Sequence, residues 1–215
     1  MNGHIRQRLE QGLVQLLPQA GVDLIERQLE YLELLERWNR VFNLTAVRAG
    51  ADMVARHLLD SLAVHPYVRG ARLLDIGSGG GLPGIPLALA NPQRMVVLLD
   101  SNGKKVRFLR QAVLELGLAN VTVVQARAEE FRPAVLFDTV IARAFADLLG
   151  LLRIARPLLA VGGRVLAMKA REPTNELQRL AGEGVSWRCQ RLDVPGLTAQ
   201  RHVIVIEPSV AGVNL

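Results

Sequence analysis

The sequence predicts a doubly wound α/β domain, with a mostly parallel twisted sheet covered by helices on both faces, preceded by an N-terminal helical extension. Up to residue 70 the apolar residues recur at three- and four-residue steps, the period of one buried helix face. Beyond it, short and nearly continuous apolar runs alternate with amphipathic stretches, as in parallel strands buried on both sides. A glycine-rich turn over residues 77–84 closes the first of those runs and opens a helix.

The elements follow in order. A first helix carries Leu9, Leu13, Leu16 and Leu17 and ends at Pro18 and Gly21. A longer one starts at Ile25 and buries Leu29, Leu32, Leu35, Trp38 and Phe42, with Glu26, Glu30, Glu33 and Glu36 on its other side. A third runs from about Ala51 to Val64 on Val54, Leu58 and Leu62, and Pro66 and Gly70 close it. Strands are expected at Arg72–Ile76, Met95–Leu99, Val121–Val124, Phe137–Ala142, Arg164–Met168 and His202–Ile206. Between them lie helical stretches at about Pro83–Ala90, Gly103–Leu116, Phe145–Leu159 and Pro173–Ala181. Residues 1–70 therefore read as an extension packed on a sheet domain of residues 71–215, with no internal repeat and no disordered linker.

Composition narrows the function. Half of the 215 residues are hydrophobic, enough for a core of its own. The single cysteine, Cys189, excludes an intrachain disulfide and a cysteine-rich zinc site, and no metal is expected. No apolar run reaches the roughly 18–20 residues that span a bilayer. The segment Met1–Arg8 lacks the apolar core of a signal peptide, so a cytoplasmic protein without membrane contact is expected. The formal charge is +6. Residues 1–70 hold 8 arginines against 8 acids, so the whole excess lies in residues 71–215 and points to an anionic partner. Arginine outnumbers lysine 23 to 3, which suits phosphate binding, although a GC-rich genome gives the same bias.

The glycine turn is the most informative stretch. The spacing Gly79-x-Gly81-x-x-Gly84 fits the dinucleotide fingerprint. However, the strand ends at Asp75-Ile76, so the turn begins at Gly77 and the relevant spacing is Gly77-x-Gly79-x-Gly81. Asp75 at the strand tip would repel a pyrophosphate, and no Gly-Lys-Ser/Thr follows to make a P-loop. S-adenosylmethionine fits better, because it brings a sulfonium, an ammonium and a ribose but no phosphate. Asp75, Gly77 and Gly79 then form the near wall of its site. Asp100, 25 positions after Asp75 at the end of the second strand, accepts the ribose hydroxyls; alone, it also reads as the N-cap of the helix that starts near Gly103. The third strand runs into residues 125–130, either the adenine edge or a solvated charged loop.

Several segments together resemble one family. They are residues 43–48 (Asn-Leu-Thr-Ala-Val-Arg), 56–61 (Arg-His-Leu-Leu-Asp-Ser) and 79–86 (Gly-Gly-Gly-Leu-Pro-Gly-Ile-Pro), followed by Leu99-Asp100-Ser101. Residues 104–109, Glu129-Glu130-Phe131, residues 143–146 (Arg-Ala-Phe-Ala) and Arg201-His202 complete the set. The chain resembles the small-subunit ribosomal RNA guanine-N7 methyltransferases, the glucose-inhibited division protein B family, from about residue 30 to 206. The resemblance implies a Rossmann-like class I methyltransferase of bacterial origin that uses S-adenosyl-L-methionine. Its implied cofactor contacts are Gly77, Leu82, Ala128, Glu129 and Arg143. Its implied substrate is one guanine in the decoding-region loop of 16S ribosomal RNA, free or in the small ribosomal subunit. The family often has proline where this chain has Gly80, a change that loosens the loop.

The residues themselves narrow the target atom. The exocyclic-amine methyltransferases usually carry Asp/Asn-Pro-Pro-aromatic after the fourth strand, where this chain reads Ile141-Ala142-Arg143-Ala144-Phe145. Pyrimidine C5 chemistry needs a nucleophilic cysteine, but Cys189 follows Arg188 in a late strand and reads as structural. Guanine N7 carries a lone pair and no hydrogen, so it needs alignment and no general base. Arg143 at the end of the fourth strand is the expected catalytic residue, bonding either the methionine carboxylate or guanine O6. Phe145 either stacks on the base or sits in the core. His57, Asp60 and Ser61 lack a nucleophile elbow and read as a polar seam between extension and sheet. Lys104, Lys105, Arg107 and Arg110 form either a solvated helix face or an RNA-phosphate contact. The chain is expected to act as a monomer.

Overall fold

The computed structural model describes residues 3–47, 50–145 and 147–209; Arg48 and Ala146, in two of the family-like segments, fall outside them. Two long helices open the chain, α1 (Gly3–Leu16) and α2 (Val22–Phe42), the latter closed by Asn43 in the left-handed conformation. The third helical stretch is expected to be regular but is not. It begins as α3 (Gly50–Met53), widens into a π-helical turn at Val54–Leu59 and returns as α4 (Asp60–Leu62). An extra residue per turn re-aims side chains, and such turns are frequent at functional sites.

The sheet begins with β1 (Arg72–Ile76), α5 (Gly84–Ala90), β2 (Met95–Asp100), α6 (Gly103–Glu115), β3 (Val121–Gln125) and β4 (Phe137–Arg143). It continues through α7 (Leu148–Ala155), β5 (Leu159–Lys169), α8 (Thr174–Gln178), β6 (Val185–Arg191) and β7 (His202–Pro208). The strand order is β3-β2-β1-β4-β5-β7-β6. The first five strands in chain order pair in parallel, and the order reverses between β1 and β4, the switch point at which such sheets bind ligands.

The expected elements are present with some adjustments. The sheet has seven strands among the described residues, and the late strand expected around Cys189 is Val185–Arg191, an exposed edge strand outside the six apolar runs. The sheet is mostly parallel as expected: only the last strand, β7, runs antiparallel to its neighbours β5 and β6 among the described residues, because strand and not helix precedes it. Phe145 precedes its helix: α7 starts at Leu148, with Asp147 as N-cap accepting from Gly150 N, and helix α8 is shorter than expected.

Successive strand residues face opposite sides of the sheet. Leu73, Leu98, Ile141 and Leu166 share a core with α1, α2, α5 and α6. Leu74, Leu99, Val140 and Val165 pack with α7 and α8. The N-terminal helices thus share the sheet's own core. Among the described residues no helix is long and apolar enough to cross a membrane.

Candidate active site

At the tip of β1 the chain turns through Gly77, Gly79 and Gly81, all with positive φ. A side chain at Gly77 would meet none of the described residues within 4 Å, so this backbone lies open to a ligand. Gly84 is tight instead: a Cβ there would stand 2.2 Å from Leu98 and 2.7 Å from Asp75 Oδ2. The close approach lets Gly84 N donate to Asp75 Oδ2 at 2.9 Å, and Ser78 Oγ donates to the Asp75 carbonyl at 2.8 Å.

Asp75 is fully buried, and burial pushes its carboxyl up to about 7 against the hydrogen bond from Gly84 and the charge of Arg143. It lies beneath the turn and holds it. The repulsion of a pyrophosphate expected from Asp75 therefore belongs to Asp100 and Glu129, which line a cavity of about 200 Å³ over the ends of β1, β2 and β3. Ile76, Gly77, Leu99, Ala128 and Phe145 complete most of its wall. Gly79 and Leu82 do not line that cavity. Gly79 N donates to Asp100 Oδ2 at 2.9 Å, and Leu82 is buried in the core.

Asp100 is not the helix cap. Asn102 caps α6, accepting from Lys104 N and Lys105 N, while Asp100 Oδ1 accepts from Asn102 N at 2.8 Å. Each Asp100 oxygen thus takes one backbone proton and keeps lone pairs for a ligand. Lys105 Nζ stands 3.9 Å from Asp100; Lys104 and Arg107 are exposed on the same helix.

Arg143 faces a second cavity of about 350 Å³, lined also by Arg56, His57, Asp60, Lys169 and Arg201. Its Nη1 lies 3.5 Å from Asp60 Oδ2 and 3.3 Å from the Arg56 carbonyl, while Arg201 Nε donates to Asp60 Oδ1 at 3.0 Å. One buried carboxylate therefore orients two guanidiniums. Burial pushes the Asp60 carboxyl up, and Arg143 and then Arg201 pull it down. The expected seam is there, but the π-helical turn separates its members. His57 Nε2 meets Thr45 Oγ1 at 2.8 Å, and Ser61 Oγ is buried without a partner among the described residues. Burial, then Arg143, lowers the His57 imidazole to about 4, so it is neutral at pH 7.

Ala144 and Phe145 part the two cavities, one on each wall. Ala144 has φ 59, a left-handed conformation uncommon outside glycine. Phe145 borders the first cavity while packing against the α7–α8 core, and its carbonyl accepts from Lys169 Nζ, which Glu176 also holds at 2.9 Å.

Lys169 and Tyr31 carry no signal in the sequence. The buried Tyr31 hydroxyl donates to the Gly80 carbonyl at 2.5 Å, tying α2 to the glycine turn. Burial raises the phenol well above its usual range. Arg201 was legible only through the resemblance.

Residues 24–204 match the family described as rRNA small subunit methyltransferase G. The chain belongs to the rRNA small subunit methyltransferase G family. The ribosomal RNA small subunit methyltransferase G of Methylococcus capsulatus is 53% identical over 201 residues, which cover 94% of this chain and 98% of that one. That of Nitrosococcus oceani is 49% identical over 208 residues, 95% of each chain. Solved structures share the fold at lower identity. The O-methyltransferase TomG from Streptomyces achromogenes in complex with SAM gives a TM-score of 0.60 at 19% identity, covering 84% of this chain and 90% of its own. A putative O-methyltransferase from Klebsiella pneumoniae gives 0.62 at 14% identity, covering 92% and 94%. Strand order and neighbours make this a class I methyltransferase fold.

Proposed function

We propose that the chain transfers a methyl group from S-adenosylmethionine to guanine N7 in the decoding-region loop of 16S ribosomal RNA, acting in the cytoplasm as a monomer. The observation that carries this reading is the pair of cavities flanking residues 143–145 at the switch point. One offers open backbone and acids, the other four cationic side chains around one carboxylate.

The first cavity fits the cofactor. Gly77 supplies backbone without a Cβ, Asp100 keeps free lone pairs for two hydroxyls, and Ile76, Leu99 and Phe145 offer apolar surface to a flat base beside Ala128 and Glu129. Asp75, Gly79 and Leu82 act by fixing the turn. Bound S-adenosylmethionine supplies a methyl group on a positively charged sulfur.

The second cavity fits an RNA guanosine. Arg143, Lys169 and Arg201 attract the phosphates, and Arg143 donates either to O6 of the base or to the methionine carboxylate. Guanine N7 attacks with its own lone pair, so no residue removes a proton. His57, lowered to about 4 and bonded to Thr45, is a weak proton acceptor, in keeping with that. What the chain contributes is alignment, which is worth up to roughly 7–11 kcal/mol. Lys104 and Arg107, exposed on α6 beside the first cavity, extend the basic surface toward flanking phosphates.

Arg143→Ala tests the assignment. If Arg143 holds the cofactor carboxylate, cofactor affinity and single-turnover transfer fall together. If it steers O6, affinity stays and transfer falls by about 10²-fold, as a lost positioning contact allows. Parental affinity with parental transfer rate removes Arg143 from the site.

A further inference from the structure

Outside both cavities, three side chains of different chemistry converge where β5, β6 and β7 end at the sheet's antiparallel edge. Cys189 lies on β6, His202 opens β7, and Glu172 lies in the loop between β5 and α8. A thiol sulfur, an imidazole nitrogen and a carboxylate oxygen from the three lie within 4.8 Å of one another. In the ladder Cys189 pairs with Ile204 and Arg191 with His202, so Cys189 and His202 are diagonal neighbours on one sheet face.

The imidazole is the unusual member. His202 is 8% exposed, and its Nδ1 is buried with no hydrogen-bond partner among the described residues. Such an unsatisfied buried nitrogen is costly unless something fills its lone pair or takes its proton. Methyl transfer, as derived above, uses none of the three residues.

We propose that Glu172, Cys189 and His202 form a binding site for one zinc-class divalent cation. The donor set selects the metal. Thiolate and imidazole favour zinc over magnesium or calcium, and three protein ligands leave a fourth position for water. The charges balance, since a thiolate and a carboxylate neutralise a dication in this half-buried place. Neighbouring cations do not fill the role of the metal. Lys169, opposite His202 on β5, is engaged by Glu176 and the Phe145 carbonyl, and Arg191, opposite it on β6, is exposed. Zinc–ligand bonds of about 2.0–2.3 Å set tetrahedral donors about 3.3–3.8 Å apart. The group must therefore close by roughly 1 Å, which the exposed Glu172 loop allows. Bound metal would tie that loop to both antiparallel strands, next to Arg201.

The test uses the full chain freed of metal with a chelator and titrated with cobalt(II), then zinc(II). The expected result is thiolate-to-cobalt charge-transfer absorption that saturates at one equivalent, displacement by zinc, and release of about one proton at pH 7 as the thiol ionises. Cys189→Ser should abolish the absorption. Glu172→Gln, at an exposed position that leaves the fold intact, should weaken zinc binding at least 10-fold. His202→Asn should do the same wherever circular dichroism shows it folded. Saturation without thiolate absorption, equal affinity in Cys189→Ser and Glu172→Gln, or zinc binding only at millimolar concentration overturns the site.

Discussion

Asp60 shows how much one residue organises here. It is 3% exposed, and its two oxygens accept from guanidiniums that arrive from β4 and from the residue before β7. Asp60→Asn leaves both arginines without their anion. Because Arg143 and Arg201 retain some solvent, the stability loss should be modest, about 1–3 kcal/mol by urea unfolding. Methyl transfer should fall further, by about 10²-fold, since both guanidiniums lose their aim. A variant that loses stability but keeps full transfer would confine Asp60 to the fold. Asp75 makes a separate prediction. Its native pKa of about 7 lies above the unfolded value, so between pH 4 and 7 the native state holds a proton that the unfolded chain has released. Its contribution therefore weakens the fold as pH rises through that window, and Asp60, also raised by burial, acts in the same direction. His57, lowered to about 4 from 6.5, does the reverse up to pH 6.5. Asp75→Asn keeps an acceptor for Gly84 N and removes the first slope. Its urea midpoint relative to parent should therefore rise with pH between 4 and 7, and an unchanged difference would refute the buried, protonated Asp75.

Among the elements, the glycine turn and the π-helical turn position the site, and only one was legible. Gly77 to Gly84 stood out because glycines and prolines punctuate a chain visibly, and the parallel strands stood out because both of their faces are apolar. The π-helical turn left no trace, since Val54, Leu58 and Leu62 keep their apolar spacing whether or not one turn holds an extra residue. Strand β6 was legible only as a late strand around Cys189, without bounds, because its exposed edge places Ser186, Trp187 and Arg188 in succession toward solvent. The Asp60 clamp joins positions 83 and 141 residues apart, beyond the reach of any local pattern. The tie from α2 to the turn was equally silent, and it can be tested. Tyr31→Phe deletes the bond to the Gly80 carbonyl and leaves that buried acceptor without its donor. It should cost about 1–3 kcal/mol by urea unfolding and weaken cofactor affinity several-fold in calorimetry, because Gly79 N and Asp100 share the same turn. Unchanged affinity in the destabilised variant would separate α2 from the site.

On the scale of the whole molecule, the charge of +6 acts with direction because residues 1–70 are neutral. The acids of α2 pair with arginines of their own region, as in Arg6 with Glu26 and Arg40 with Glu36. The excess cations lie in the sheet domain. Arg143, Lys169 and Arg201 ring the second cavity, while Lys104 and Arg107 stand exposed on α6 beside the first. A polyanion approaching the carboxyl edge of the sheet would meet both groups. RNA affinity should then fall steeply with salt, because each phosphate contact releases counterions and adds about 0.7–0.9 to the slope of log K against log salt. Lys105 is the wrong residue for probing this, since its ammonium lies 3.9 Å from Asp100 and reversing it would disturb the cofactor wall. Lys104→Glu combined with Arg107→Glu avoids that contact. The pair should lower the slope by about 1–2 and leave cofactor affinity at the parental value. A parental slope near zero would remove RNA phosphates from the basic surface altogether. A steep slope that survives the double reversal would move the contact off α6 and onto the ring around Arg143.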